Sequence, residues 1–272
     1  MTNRPGGAVA GADLRQALIA CGRRGQLTQF VAALPGELAE GLLADWTIWA
    51  RAQQLPPGGD WLTWLMLGGR GAGKTRAGAE WVRAQVEGGK PLDKGRCRRV
   101  ALVAETMDQA RDVMVFGESG ILACSPPDRR PEWQATRRRL VWPNGAVAQV
   151  FSASEPESLR GPQFDCAWAD ELAKWKKGRD TWDMLQFALR LGERPQVCVT
   201  TTPRNVGVLK ELLARESTVV TSAPTEANAA NLAASFLREV EARYAGTRLG
   251  RQELEGVLLE DVENALWRSS GL

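Results

Sequence analysis

The sequence predicts an α/β fold: a mainly parallel sheet flanked by helices, with a β-hairpin and an N-terminal helical lead-in. Three observations predict it. An apolar run from Trp61 to Leu67 stops in a glycine loop that ends in a lysine and a hydroxyl and opens a helix. Further apolar runs at 100–104, 164–170 and 196–199 alternate with helical stretches, the pattern of strands buried on both faces. One of those runs delivers two adjacent carboxylates, Asp170 and Glu171, to its C-terminal end, where open α/β sheets bind ligands.

The loop reads Gly68-Gly69-Arg70-Gly71-Ala72-Gly73-Lys74-Thr75 and matches G-x-x-x-x-G-K-[ST]. Glycine lets successive backbone N–H groups curl around an anion without a Cβ in the way. At this composition chance supplies about 0.007 matches per chain, so nucleotide binding outweighs a glycine turn with a stray lysine. Lys74 is placed to reach the β- and γ-phosphates and Thr75 to give its hydroxyl to Mg²⁺. The helix expected from Lys74 to Val86 adds a favourable dipole where the negative charge sits.

Composition narrows the chemistry. The 272 residues suffice for one large domain with an appendage, or for two small domains. A net charge of +3 permits a nucleic-acid partner without demanding one. The chain has no histidine, which excludes His-based triads, acids and metal ligands and leaves carboxylates, Lys, Arg, hydroxyls and bound metal. Its five cysteines are widely spaced with no C-x-x-C pair, and read as reduced, mostly buried small hydrophobes. No apolar run approaches a membrane span and no signal-peptide core opens the chain, so a soluble cytoplasmic protein is expected, without membrane contact.

In chain order, Met1 to Gly11 lacks periodicity and is expected to fray. From Ala12 to Gln54 apolar residues recur at helical steps, broken at Pro35-Gly36, which gives a helical lead-in over 1–54 and a main domain over 55–272. Gln54 reads as a solvated helix-end residue, although its amide has the donor and acceptor to pair with an adenine edge. The main domain opens with a turn at 55–60 and a strand over Leu62 to Leu67. A strand at Val100 to Ala104 precedes a helix at Met107 to Val115, and Asn144-Gly145 between two alternating runs signals a hairpin over 139–152. Helices are expected at Thr181 to Leu191, Gly207 to Ala214, Asn231 to Tyr244 and Thr247 to Leu258, with a last strand at Thr218 to Ser222.

The acidic pair is the second chemical centre. Asp170 can hold Mg²⁺, directly or through water, and Glu171 can orient and deprotonate an attacking water, the step that separates hydrolysis from binding. Thr200, Thr201 and Thr202 end the strand at 196–199, where their hydroxyls would lie beside a γ-phosphate. Threonine is also simply a good strand residue.

Taken together, GGRGAGKTRAGAEW, ESLRGPQFDCAWADELAKW and VTTTP, in this order, resemble the ATPase domain of the large terminase subunit, the DNA-packaging motor of tailed phages and gene transfer agents. The resemblance spans roughly Leu42 to Trp267. It implies a P-loop NTPase of the additional-strand, catalytic-glutamate type, with a strand between the loop strand and the Asp170 strand. It also implies ATP and Mg²⁺ as cofactors, with Lys74 and Thr75 on phosphate and metal, Asp170 as metal carboxylate, Glu171 as base, Thr200 to Thr202 as coupling motif and Gln54 on adenine. Arg70 matches a position viewed as an arginine finger within its own subunit, and Arg160 one viewed as a finger inserted into a neighbour; an ordinary surface arginine is the plainer reading of Arg160. The implied partners are double-stranded DNA, the portal protein, the small terminase subunit and further copies in a ring docked on the procapsid. Large terminases continue into an RNase H-like nuclease, and this sequence ends at Leu272 where that domain would begin, so a motor domain without nuclease activity is expected.

Packaging cannot depend on sequence, so DNA contact should be to phosphates. Candidates are Arg137, Arg138 and Arg139 before the hairpin, and Lys174, Lys176, Lys177 and Arg179 after Glu171, though charge runs are commonly solvated faces. A helicase or repair translocase, a nucleotide-dependent assembly module with little turnover, and a small-molecule kinase share the loop and stay open.

Overall fold

The computed structural model describes residues 16–259, and the frayed start expected at Met1 to Gly11 lies outside them. The chain divides into two compact units, Met1–Leu55 and Pro56–Leu272. In the first, residues 16–23 are helical, followed by α1 (Leu27–Ala33), α2 (Gly36–Ala44), α3 (Trp46–Trp49) and a 3₁₀ turn at Ala52–Gln54. Pro35 separates α1 from α2, because a proline cannot continue a helix but is well placed at the start of the next. Asp45 then ends α2 and caps α3, its carboxylate accepting from Thr47 N and Oγ1 at 2.9 and 2.7 Å.

The second unit is built on eight strands: β1 (Thr63–Gly68), β2 (Arg99–Ala104), β3 (Glu132–Gln134), β4 (Arg139–Val141), β5 (Val147–Ser152), β6 (Cys166–Asp170), β7 (Gln196–Thr201) and β8 (Thr218–Ala223). They form one sheet in the order β3-β4-β5-β2-β6-β7-β1-β8. From β5 to β8 every pairing is parallel, while β3-β4 and β4-β5 are antiparallel, the expected ribbon on a parallel sheet. Gly145 takes the left-handed conformation (φ 82°) in the β4-β5 turn, and Asn144 anchors that turn by donating to Val86 O and Asp93 O at 2.8 and 3.0 Å.

Alternation along the strands makes two apolar layers. Trp64, Met66, Leu102 and Trp168 face one side with Trp81 and Val82 of α4 (Lys74–Val86). Leu65, Val103, Ala169 and Val199 face the other with Leu185 of α5 (Gly178–Ala188) and Leu209 of α6 (Gly207–Leu213). Both faces are covered, as a parallel sheet requires. α7 (Ala234–Tyr244) and α8 (Arg248–Glu253) complete the unit. Among the described residues no helix is long and apolar enough to cross a membrane.

Several expected boundaries move, each for a local reason. Leu62 lies outside β1 and is exposed. The helix expected from Thr181 begins at Gly178, buried against Val208 and Trp175 where a side chain would crowd. The Met107 to Val115 stretch is α-helical only at Met107–Gln109, then widens into a π-helical turn at Ala110–Val115 that buries both Met114 and Val115. The helix expected from Asn231 starts at Ala234, because Thr225–Asn231 forms 3₁₀ structure with Leu232 extended behind it. The last expected helix stops at Glu253, after which Gly256 (φ 70°) turns the chain against the glycine loop.

Candidate active site

β6, β7 and β1 run parallel with Asp170, Thr200 and Met66 in register, so the acidic pair, the threonines and the glycine loop leave the sheet on one edge. β7 sets the loop strand and the acidic strand two spacings apart, about 10 Å. That gap lets a lysine on one side meet a carboxylate on the other. Lys74 does so: its Nζ lies 3.7 Å from Glu171 Oε1 and donates to Gly68 O, Gly69 O and Thr202 Oγ1 at 3.1, 3.0 and 3.0 Å. Burial holds its ammonium below the usual lysine range, with Glu171 and Asp170 opposing.

The first half of the loop departs from the expectation that successive N–H groups face an anion. Gly69 N donates to Ala223 O, Arg70 N to Glu253 O and Ala72 N to Gly69 O, at 3.1, 2.7 and 3.2 Å. β8 and the end of α8 have taken the first two of these donors. A Cβ at Gly69 would strike Leu254 O and Thr225 Oγ1, so glycine at this position admits the strap that follows α8. Gly71 (φ 72°) and Gly73 (φ 83°) supply the left-handed turns that lead into α4. Thr75 is half-buried at the first turn of α4, its hydroxyl without a protein partner among the described residues.

On the opposite wall Asp170 is buried. Its Oδ1 accepts from Thr200 Oγ1 at 2.6 Å, and Trp168 Nε1 in turn donates to Thr200 Oγ1 at 2.7 Å. Burial, then the neighbouring Glu171, pushes the Asp170 carboxyl up to about 6. Glu171 sits in the left-handed region (φ 51°), a cost of roughly 1 kcal/mol for a residue with a Cβ. It is fixed there by its N–H to Thr200 O at 2.6 Å. Its Oε2 is 3.2 Å from Lys174 Nζ and accepts from Thr202 N at 3.4 Å.

Two of the expected sets of residues have protein partners here. Lys174 belongs to this site as a partner of Glu171, because a 3₁₀ turn at Leu172–Lys174 brings it back over the carboxylate. The threonine hydroxyls, expected beside a γ-phosphate, are spent inside the protein. Thr200 holds Asp170, Thr201 accepts from Ala173 N and donates to Thr202 O, and Thr202 accepts from Lys74.

The remaining expected residues have the following partners and exposure. Arg70 is exposed and paired with Glu253, Nε to Oε2 at 2.6 Å, and that hydrogen bond raises its pKa. Arg160 is exposed and paired with Glu157 at 3.0 Å. Gln54 is in the first unit, where its Oε1 accepts from Arg51 N at 3.2 Å. Arg137, Arg138, Lys176 and Lys177 are exposed, whereas Arg139 donates to Gln134 and Arg179 pairs with Glu211. Trp168 and Glu253 are site residues that sequence reasoning missed. Trp168, two residues before Asp170 on one strand face, carried a period-2 signal; Glu253, over 180 positions from Arg70, carried none.

A family model described as "Terminase large subunit, T4likevirus-type, N-terminal" matches residues 65–272. The chain belongs to the terminase large subunit family. Among solved structures, the large terminase of a thermophilic bacteriophage superposes with a TM-score of 0.58 at 12% identity, over 81% of this chain and 53% of that one. The large terminase ATPase domain of Thermus phage P74-26 gives 0.55 at 15% identity, over 77% and 94%. The bacteriophage HK97 large terminase gives 0.52 at 14% identity, over 83% and 50%. At these identities the likeness is one of fold, a P-loop NTPase, and this terminase sequence spans about half the length of the first and third of these proteins. No curated protein matches it in sequence.

Proposed function

We propose that this chain is the ATP-hydrolysing motor domain of a large terminase and moves double-stranded DNA into a viral or gene-transfer-agent procapsid. The observation that carries the reading is the 3.7 Å approach of Lys74 to Glu171, which joins the phosphate loop to the acidic pair across β7. The large terminase of the thermophilic bacteriophage has been solved with ADP and with ATP-γ-S, which supports nucleotide binding by this fold.

In this reading residues 68–75 hold the phosphates, and Lys74 exchanges its loop carbonyls for phosphate oxygens. The hydroxyl of Thr75 and the carboxylate of Asp170 fit Mg²⁺: both are hard oxygen donors, and an Asp170 pKa pushed to about 6 marks a buried carboxylate short of positive charge. Bound ATP with its metal would supply the scissile anhydride and neutralise charge on it. Glu171 orients the attacking water and takes its proton, and Thr200 to Thr202 report the occupancy of Lys74 and Asp170. Arg70 serves its own site once released from Glu253; Arg160, exposed beside Glu157, serves a neighbouring subunit in a ring. Exposed Arg137, Arg138, Lys176 and Lys177 contact DNA phosphates, with Arg139 and Arg179 beside them. The portal protein and the small terminase subunit complete the machine, in the host cytoplasm.

The test is Glu171→Gln. ATP affinity should persist within a few-fold while turnover falls by orders of magnitude. Turnover indifferent to that change would favour an assembly module, and unwinding of a forked duplex a helicase.

A further inference from the structure

The opposite end of β6 carries a second cluster that nucleotide chemistry does not use. Cys97, in the turn before β2, and Asp165 and Cys166, at the start of β6, are all buried, and their ligating atoms lie within 4.8 Å of one another. The parallel pairing of β2 with β6, Val100 opposite Cys166, is what brings these distant positions together. Asp165 is held in place from behind, its two oxygens accepting from Arg98 N and Arg99 N at 2.7 and 2.9 Å. Cys97 and Asp165 also line a cavity of about 480 Å³ together with Arg96, Glu193 and Gln196.

We propose that Cys97, Cys166 and Asp165 form a binding site for a thiophilic divalent cation of the zinc class. The donor set decides the class: two sulfurs and one carboxylate suit Zn²⁺ or Cd²⁺, whereas Mg²⁺ takes oxygen ligands and leaves sulfur alone. The geometry is near. Ligand atoms around tetrahedral zinc sit roughly 3.5–3.8 Å apart, so a trio already within 4.8 Å needs only a small closure. The carboxylate has the outer support that metal ligands receive, and Cys97 and Asp165 open on the cavity that Glu193 also lines.

Charge also closes. Two thiolates and a carboxylate around a dication leave one negative charge, and the Arg96 guanidinium at the same cavity offsets it. Arg96 is fixed there by hydrogen bonds to Gln85 and Gln196 at 2.6 and 2.9 Å. Burial raises the Cys166 thiol well above its usual range, so binding must release protons and weaken as pH falls. The five-residue strand from Cys166 to Asp170 sets the site about 13 Å from the acidic pair, too far for the nucleotide's own metal. This inference stands apart from the motor reading.

The experiment titrates Cd²⁺ into the reduced full chain, with saturating Mg²⁺ present, and reads the sulfur-to-cadmium charge-transfer band in the ultraviolet. One equivalent should bind, and X-ray absorption at the cadmium edge should count two sulfur neighbours. Cys97→Ala and Cys166→Ala should each weaken binding at least about a hundredfold and Asp165→Asn by about tenfold, while Cys21→Ala and Cys124→Ala change nothing. The edge measurement uses the unaltered protein, so it decides even if a variant fails to fold. No band, one sulfur neighbour or fewer, or a band that disappears with Cys21→Ala overturns the proposal.

Discussion

Trp168 Nε1 donates to Thr200 Oγ1 at 2.7 Å, and the same hydroxyl donates to Asp170 Oδ1 at 2.6 Å. A core indole thus fixes the direction of the hydroxyl that holds the buried carboxylate. The indole is itself held by α4, where a Cβ at Gly78 would run into its ring. Helix packing and carboxylate orientation are therefore one arrangement. Thr200→Val keeps the volume but strands an indole N–H and a carboxylate in the core. It should lower stability by about 1–3 kcal/mol, read as a shift in denaturant midpoint at constant slope. An unchanged midpoint would show the relay to be idle.

Lys174 holds Glu171 from the solvent side at 3.2 Å, with side chains 34% and 23% exposed. A pair this exposed is worth about 1 kcal/mol or less. Lys174→Ala frees one carboxylate oxygen for water, so turnover in the absence of DNA should rise, by up to about fivefold, with KM for ATP unchanged. A fall in turnover would mean that Lys174 assists the base rather than restraining it.

The Asp170 carboxyl gives a pH dependence with a definite sign. Its folded pKa of about 6 exceeds the ordinary 3.8, so below pH 3.8 both states are protonated and the group is neutral to stability. Between 3.8 and about 6 the unfolded chain ionises first, and stability falls as pH rises, by about 3 kcal/mol in total. In metal-free buffer Asp170→Asn should therefore stabilise the protein at pH 8 and leave it unchanged near pH 3.5, measured by denaturant unfolding at each pH. Equal effects at both values would contradict the burial argument.

The Arg70–Glu253 pair bears on the finger. Arg70 is mostly exposed, and backbone bonds hold the strap without its side chain, so Glu253→Ala should change stability by less than about 1 kcal/mol. It should also free the guanidinium and raise turnover. Arg70→Ala should lower turnover by about 10³-fold, in single-turnover measurements at saturating ATP. If both variants behave alike, Arg70 is part of the strap and not of the chemistry.

The loop, the acidic pair and the sheet around them were legible because each is written in contiguous residues: Gly68 to Thr75, Asp170 with Glu171, and the apolar runs that carry them. The hairpin was equally plain in Asn144-Gly145. What escaped were contacts made across the fold. Nothing near Arg70 announces Glu253, and nothing near Gly69 announces Leu254, because both meet only after α8 has folded back. Lys174 was read as one charge in a run, although three residues after Glu171 a single 3₁₀ turn suffices to bring the two together.

That return of the chain onto the loop makes the last prediction. Gly256 has φ 70°, and a Cβ there would lie 3.0 Å from Gly68 Cα and Gly69 N, against backbone that cannot yield. Gly256→Ala should therefore cost about 1–3 kcal/mol, concentrated where the strap meets the loop. Arg70 N to Glu253 O and Thr225 N to Leu254 O, both 2.7 Å, are the bonds that would open. Hydrogen exchange should accelerate at the Arg70 and Thr225 amides while those of β1 and β7, buried in the sheet, keep their protection. Uniform acceleration across the sheet would instead show that the strap and the core unfold as one unit, and no acceleration that the strap is not seated as described.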